Sequence, residues 1–278
     1  MTWDEHVRGG AAMLSGAQVE NPMTEARMLW EHVTGRSYAQ WLVRPLPITE
    51  PVLEEYRNAI GRRTRREPFH YIVGSKEFMG LSFRVNPAVL VPRPETEILV
   101  ETVLARMVEP PLCVVDVGTG SGAIALSLRQ HWRSQKTCII GVDNSDAALG
   151  VAQDNGSRLG LPVTWLLGNL LDPIDQPVDV VVANLPYVSV KDRGFLAQEL
   201  QFEPQAAIYS GETGTELIGE LIDAARGKLT MGGHIFLEVG QGQARWAENR
   251  LHQAGLWLGD TVKDYGAIDR VVWARREA

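Results

Sequence analysis

Val114-Val115-Asp116-Val117-Gly118-Thr119-Gly120-Ser121-Gly122-Ala123-Ile124-Ala125-Leu126 is the stretch that decides the fold. β-Branched residues run into three alternating glycines, and apolar helix formers follow at once. That order is a strand, a tight turn and a helix, the opening of a doubly wound α/β unit. Glycines let the backbone approach a ligand closely, and the turn leaves the first helical N–H groups free for polar atoms. The next apolar run, Ile139-Ile140-Gly141-Val142-Asp143, ends in an acid 25 positions after Gly118. An acid at the second strand end can accept both ribose hydroxyls of an adenosine. Nucleoside binding is therefore expected at Gly118, Thr119, Gly120, Ser121, Gly122 and Asp143.

Outward from this unit, strand and helix patterns alternate. Strands are expected at 113–117, 137–143, 163–167, 178–183, 234–239, 257–262 and 270–274, with helices at 123–132, 146–159, 215–228 and 244–254. Such alternation means a Rossmann-like, mostly parallel seven-stranded sheet covered on both faces. Ahead of it, residues 1–75 read as a small helical domain. Ala26, Leu29, Trp30 and Val33 form one helical stripe that stops at Gly35, and a second helix enters through Thr49 and Pro51. Trp3, Trp30 and Trp41 are its expected packing anchors. Between them and the larger domain (95–278), residues 76–94 read as a β-hairpin linker that turns at Asn86-Pro87. The basic run Arg62-Arg63-Thr64-Arg65-Arg66 is either a solvated helix end or a docking patch for an anionic partner.

The glycine spacing narrows the cofactor. A dinucleotide fingerprint is G-x-G-x-x-G, whereas this turn is Gly118-x-Gly120-x-Gly122 with Asp116 two residues ahead. S-adenosylmethionine carries no phosphate and presents an ammonium group to that turn, so the spacing favours it over NAD. Asp116 either answers that ammonium, directly or through water, or caps the turn. The apolar run Val180-Val181-Val182-Ala183 then ends abruptly in Asn184-Leu185-Pro186-Tyr187. Ligands of parallel sheets bind outside the carboxyl ends of strands, which aims this tetrad at the cofactor. An amide nitrogen is a poor nucleophile because its lone pair is delocalised. The Asn184 side-chain oxygen and the Leu185 carbonyl can each accept one N–H of a planar NH2 group, and Tyr187 can stack on it.

Composition removes other classes. Hydrophobic residues at 45% and charged residues at 22% are globular values, not those of a disordered or fibrous chain. No apolar run approaches the roughly 18 residues of a membrane span. Met1-Thr2-Trp3-Asp4-Glu5 lacks the basic-then-apolar order of a signal peptide, and Cys113 and Cys138 sit in apolar runs, so a cytoplasmic protein is expected. The six histidines form no metal spacing, and no metal is expected. A net charge of −7 speaks against stable nucleic-acid binding.

The chain resembles the release-factor glutamine N(5)-methyltransferases, the PrmC/HemK family. Arg66-Glu67-Pro68, Tyr71-Ile72-Val73-Gly74 and Val91-Pro92-Arg93-Pro94-Glu95-Thr96-Glu97 carry the resemblance, with Glu203-Pro204, Gly211, Gly214, Leu237-Glu238-Val239-Gly240 and Gln243 downstream. It implies a class I S-adenosylmethionine-dependent methyltransferase that acts on the glutamine of the Gly-Gly-Gln loop in class 1 peptide-chain release factors. Direct transfer would release S-adenosylhomocysteine. Asn184 and Tyr187 become the catalytic residues, Asn184 through Tyr187 the substrate grip, and the helical domain the hold on the release factor. Asn184 also joins the cofactor-binding set. Asn169 binds the adenine amino group in place of the acid usual there, and Leu185 stands where the family has proline. Arg93 and Glu95 either line the cofactor's methionine end or brace the linker. The rivals are a nucleic-acid amino-methyltransferase, whose substrate NH2 is also planar, and a non-catalytic cofactor-binding scaffold.

Overall fold

A computed structural model describes residues 2–133 and 136–277. The chain divides into two compact units, Met1–Ser75 with Ala197–Phe202, and Lys76–Leu196 with Glu203–Ala278. Among the described residues the first holds five α-helices: α1 (Trp3–Gly16), α2 (Pro22–Thr34), α3 (Tyr38–Val43), α4 (Glu50–Thr64) and α5 (Phe69–Val73). A reciprocal capping box between Thr2 and Glu5 starts α1, and Gly35 in the left-handed region ends α2. Trp30 is fully buried at the centre, edge-on to Tyr56 at 5.0 Å and to Trp41 at 5.4 Å between ring centroids. Trp3 packs on Trp41 at the margin of the same core.

The basic run is neither of the two things its composition suggested. Arg63 is buried and bonds Glu25 at 2.5 Å and Glu199 at 3.0 Å. Arg66 reaches Glu199 at 2.7 Å, and Arg62 pairs with Glu67. Only Arg65 of the four arginines is exposed. A buried guanidinium is tolerable only with its donors satisfied, and here two acids from distant stretches satisfy it.

The second unit opens with a hairpin, β1 (Ser75–Phe78) and β2 (Leu81–Arg84), whose turn is Met79-Gly80 and not Asn86-Pro87. Both turn residues have positive φ (49° and 71°), as a two-residue hairpin turn matched to strand twist requires. Asn86 instead shapes the chain after β2, where its side chain accepts the Ala88 N–H at 2.8 Å. Then follow α6 (Pro94–Arg106), β3 (Cys113–Val117), α7 (Ala123–His131), β4 (Cys138–Asp143), α8 (Asp146–Leu159), β5 (Thr164–Leu167) and β6 (Val178–Ala183). Short 3-10 turns occupy the connection to α9 (Glu216–Lys228), and β7 (Leu229–Glu238), α10 (Ala244–Gln253), β8 (Trp257–Leu258), β9 (Val262–Lys263) and β10 (Asp269–Arg275) complete the unit.

The main sheet runs β5-β4-β3-β6-β7-β10-β8, with β9 also on β10. It has eight strands, one more than expected, because the run 257–262 is broken into β8 and β9. The strands from β5 to β7 are parallel, and β10 is antiparallel to its three neighbours. Both faces are covered. Val115, Val117, Val142 and Val181 pack with Leu221 and Leu251 of α9 and α10, while Val114, Val180 and Val182 pack with Leu99 and Leu126 of α6 and α7. Alternate residues of one valine-rich strand thus serve opposite cores. Cys113 is buried and Cys138 half-buried, side by side at the starts of β3 and β4, and both are free thiols. Among the described residues no helix is long and apolar enough to cross a membrane.

From β3 the chain winds outward through β4 to β5, then returns to β6 on the other side of β3. That reversal is a topological switch point, and the carboxyl ends of β3 and β6 frame a crevice there.

Candidate active site

Val117 pairs with Ala183, so Gly118 and Asn184 leave the sheet side by side. One cavity in the second unit is lined by Gly118, Thr119, Gly120, Ser121, Asp143 and Asn169, and equally by Asn184, Leu185 and Pro186. Gly122 and Tyr187 do not reach its wall. Gly122 has φ 79°, and a Cβ there would sit 2.9 Å from the Trp165 ring, so this glycine serves helix packing. Gly118 has φ 72°, and a Cβ on it would lie 2.9 Å from Leu185 Cδ2. Leucine at 185 therefore buries its side chain beneath the turn, in space that Gly118 leaves open.

Asp116 is fully buried and holds the turn from behind. Its Oδ2 accepts the Thr119 hydroxyl at 2.6 Å and the Ala125 N–H at 3.1 Å. Burial pushes this carboxyl up to about 7 against those two hydrogen bonds. Its Oδ1 has no hydrogen-bond partner among the described residues. Of the two roles open for Asp116, capping the turn is the one the geometry displays. Asp143, at the end of β4, accepts the Gly120 N–H on Oδ2 and the Ser145 N–H on Oδ1, each at 2.9 Å. Each carboxylate oxygen keeps a further lone pair for hydroxyl donors. Behind the same turn, buried Asn155 bonds both backbone groups of Arg84 and the Ser121 carbonyl, tying the hairpin to the glycine-rich loop.

Around the tetrad the contacts come from far along the chain. Asn184 Nδ2 donates to the Thr96 hydroxyl at 2.9 Å. The Tyr187 hydroxyl lies 3.4 Å from Glu238 Oε1, at the end of β7. Burial and that neighbouring carboxyl push the Tyr187 phenol up to about 12, so it stays protonated. Gln243 donates from Nε2 to the Tyr187 carbonyl at 2.9 Å and to the Gly214 carbonyl at 3.3 Å, while its Oε1 accepts the Gly240 N–H. Buried Glu203 bonds Arg93 at 2.6 Å and the Val91 N–H at 3.1 Å. Arg93 lies on the cavity wall and, through Glu203, braces the segment around Val91, whereas Glu95 is not on the wall.

Sequence reasoning missed Thr96, Glu203, Glu238 and Asn155 as parts of the site's frame. The one signal for Thr96, Glu203 and Glu238 was their place inside the segments that carry the family resemblance, and Asn155 had none.

The cavity suits an adenosyl group without phosphate. Its wall includes the glycine-rich turn from Gly118 to Ser121, and an acid, Asp143, stands at the second strand end. Arg93, the one basic side chain among the described residues of the wall, is already committed to Glu203, which leaves no cation for a pyrophosphate. Fold and cavity together define a class I S-adenosylmethionine-dependent methyltransferase. Residues 114–201 match the Methyltransferase domain family and residues 5–74 the PrmC N-terminal domain. The chain is 39% identical to the release factor glutamine methyltransferase of Bordetella pertussis, over 90% of this chain and 93% of that one. It is 34% identical to the protein of the same name from Escherichia coli, over 92% and 93%. Among solved structures, the 16S rRNA N2 G1207 methyltransferase of T. Thermophilus, in complex with AdoMet and guanosine, matches at TM-score 0.54 and 18% identity. That match covers 73% of this chain and 50% of the other and reports the shared fold. The chain belongs to the release factor glutamine methyltransferase family.

Proposed function

We propose that this chain methylates the side-chain amide nitrogen of the Gly-Gly-Gln glutamine in class 1 peptide-chain release factors. The observation that carries the reading is that Asn184, Leu185 and Pro186 share one cavity with the glycine-rich turn and Asp143. Asn184 Oδ1 and the Leu185 carbonyl each accept one N–H of the substrate amide. Two fixed acceptors orient the NH2 group and favour its pyramidal form, an interaction that strengthens towards the transition state. Bound in the cavity, S-adenosylmethionine supplies an electrophilic methyl group on a sulfonium. Gly118 to Ser121 and Asp143 hold its nucleoside, with Asn169 at the adenine. Tyr187, behind the wall, anchors the end of the tetrad through its carbonyl to Gln243 and its hydroxyl beside Glu238. No strong base is required, because the amide proton becomes acidic as the nitrogen gains its methyl group. The helical unit is assigned to holding the release factor, and its exposed Leu42, Val43 and Leu46 supply apolar surface for that contact.

The deciding experiment is mass spectrometry of a purified release factor after incubation with this protein and S-adenosylmethionine. A gain of one CH2 on the loop glutamine supports the assignment. An unmodified loop, with cofactor binding confirmed separately, rejects it. The net charge of −7 supports weak binding to RNA under the same conditions.

Replacing Asp143 by alanine is expected to weaken cofactor binding about 30-fold, since a charge-assisted hydrogen bond is worth about 1.5–3 kcal/mol. Titration calorimetry checks this directly. An unchanged affinity would remove Asp143 from the cofactor site.

A further inference from the structure

We infer that Gln243 is a positioning residue for methyl transfer, whose side-chain amide staples the carboxyl end of the tetrad in place. The inference rests on the amide-gripping role proposed for Asn184 and Leu185. Those two acceptors work only if the backbone that carries them is fixed, since a displacement of about an ångström costs roughly two orders of magnitude in rate. The amino end of the tetrad is held by the sheet, because Ala183 pairs with Val117 of β3 on one side and Leu237 of β7 on the other. The carboxyl end has left the sheet and needs another anchor.

Gln243 stands just before α10 and reaches three backbone groups at once. Its Nε2 donates to the Tyr187 carbonyl at 2.9 Å and to the Gly214 carbonyl at 3.3 Å, and its Oε1 accepts the Gly240 N–H at 2.9 Å. The first partner belongs to the tetrad, the second to the loop entering α9 and the third to the loop leaving β7. A backbone carbonyl can only accept and a backbone N–H can only donate. The three partners together therefore demand two donors and one acceptor on a single group, which is what a primary amide offers. Room for that amide comes from missing side chains. A Cβ on Gly240 would lie 2.9 Å from Gln243 Oε1 and 3.0 Å from Tyr187 Cδ2, and one on Gly214 would lie 2.4 Å from the Tyr187 carbonyl oxygen. Two glycines on separate loops thus make way for one contact.

The staple also closes a short ladder. Beyond Tyr187 the Val188 N–H donates to the Ile208 carbonyl at 3.1 Å, and the Ser210 N–H returns to the Val188 carbonyl at 2.9 Å. The Val190 N–H then bonds the Gly211 carbonyl at 3.0 Å. Gln243 grips this ladder at Tyr187 and Gly214 and fastens it to Gly240, two residues past the end of β7. Order passes from the central sheet to the far end of the tetrad through one side chain. Gln243, Gly214 and Gly240 are not on the cavity wall, so loss of the staple acts on the chemical step and spares cofactor binding.

The test uses full-length wild type, Gln243→Met and Gln243→Glu. Methionine keeps the length and bulk of glutamine without its polar ends. Glutamate keeps the acceptor for the Gly240 N–H, and its charge suits the start of a helix, but it turns an oxygen towards two carbonyls. At saturating cofactor, kcat is expected to fall about tenfold in Gln243→Met and about 30-fold in Gln243→Glu, with S-adenosylmethionine affinity within about threefold in both. Wild-type kcat in Gln243→Glu, or a loss of cofactor affinity as large as the loss of kcat, overturns the assignment. If Gln243→Met fails to fold, the glutamate variant decides alone. Should the wild-type chain leave release factors unmodified, the proposed function falls while the staple keeps an independent readout in amide hydrogen exchange by NMR. Faster exchange at Val188, Val190 and Ser210 in Gln243→Glu, with Gly240 as slow as in wild type, supports it. Unchanged exchange at those three amides refutes it.

Discussion

Turnover is expected to fall on the order of 10³-fold when Asn184 is replaced by alanine, with cofactor affinity unchanged within a few-fold. The substrate nitrogen must regain a lone pair that resonance has delocalised, and two acceptors in fixed positions bias it towards the pyramidal geometry in which it can attack. Alanine removes one acceptor and frees the Thr96 hydroxyl that had held it. The nucleoside contacts at Gly118 to Ser121 and Asp143 remain, so binding and chemistry separate. Steady-state kinetics read by mass spectrometry, beside calorimetry for the cofactor, measure the two effects. Asn184→Asp makes a second comparison, because it keeps an acceptor in the cavity but loses the donor to Thr96. Full turnover in the alanine variant would sink the assignment.

Gly214→Ala is expected to cost about 10²-fold in kcat although position 214 lines no part of the cavity. The residue has φ 79°, and a Cβ there would lie 2.4 Å from the Tyr187 carbonyl oxygen and 3.0 Å from the Ser189 nitrogen. Both are backbone atoms, so no side-chain rotation relieves the clash. The left-handed conformation alone costs an alanine roughly 1–2 kcal/mol. Relief requires moving the tetrad's backbone by about an ångström, a displacement of the size that costs two orders of magnitude in rate. Gln243 transmits the shift, since one amide nitrogen bonds both the Tyr187 and the Gly214 carbonyls. Cofactor binding at the far end of the cavity should survive. A variant with normal kcat would show that Tyr187 need not be held where it is.

What could be read from the sequence was what is local. β6 (Val178–Ala183) and α8 (Asp146–Leu159) coincide with their expected limits because valine runs, a serine cap and a closing Gly160 are short-range signals. The hairpin turn was misplaced because Asn-Pro is a stronger compositional cue than Met79-Gly80, while the two-residue loop demands positive φ, which glycine supplies. The 3-10 turns between β6 and α9 carry no periodicity to detect. Of the cavity wall, Gly118 to Ser121, Asp143 and Asn184 to Pro186 were legible, since each group sits at or directly after a strand end. Their support was not. Thr96 meets Asn184 across 88 positions, and Arg63 meets Glu199 across 136, and no periodicity links residues so far apart. Gly122 was assigned to the cofactor by its place in the motif, whereas Trp165 occupies the space beside it.

The two units have separate hydrophobic cores, one around Trp30 and one on each face of the sheet. A chain with more than one core departs readily from two-state unfolding, which makes a single melting temperature an incomplete description of it. The cavity is lined by residues of the second unit alone. A ligand stabilises what it binds, so saturating S-adenosylmethionine is expected to raise the transition of the unit that carries the cavity. A thermal-shift screen for cofactor binding is therefore expected to read the methyltransferase unit first, and melts followed by circular dichroism with and without S-adenosylmethionine check this.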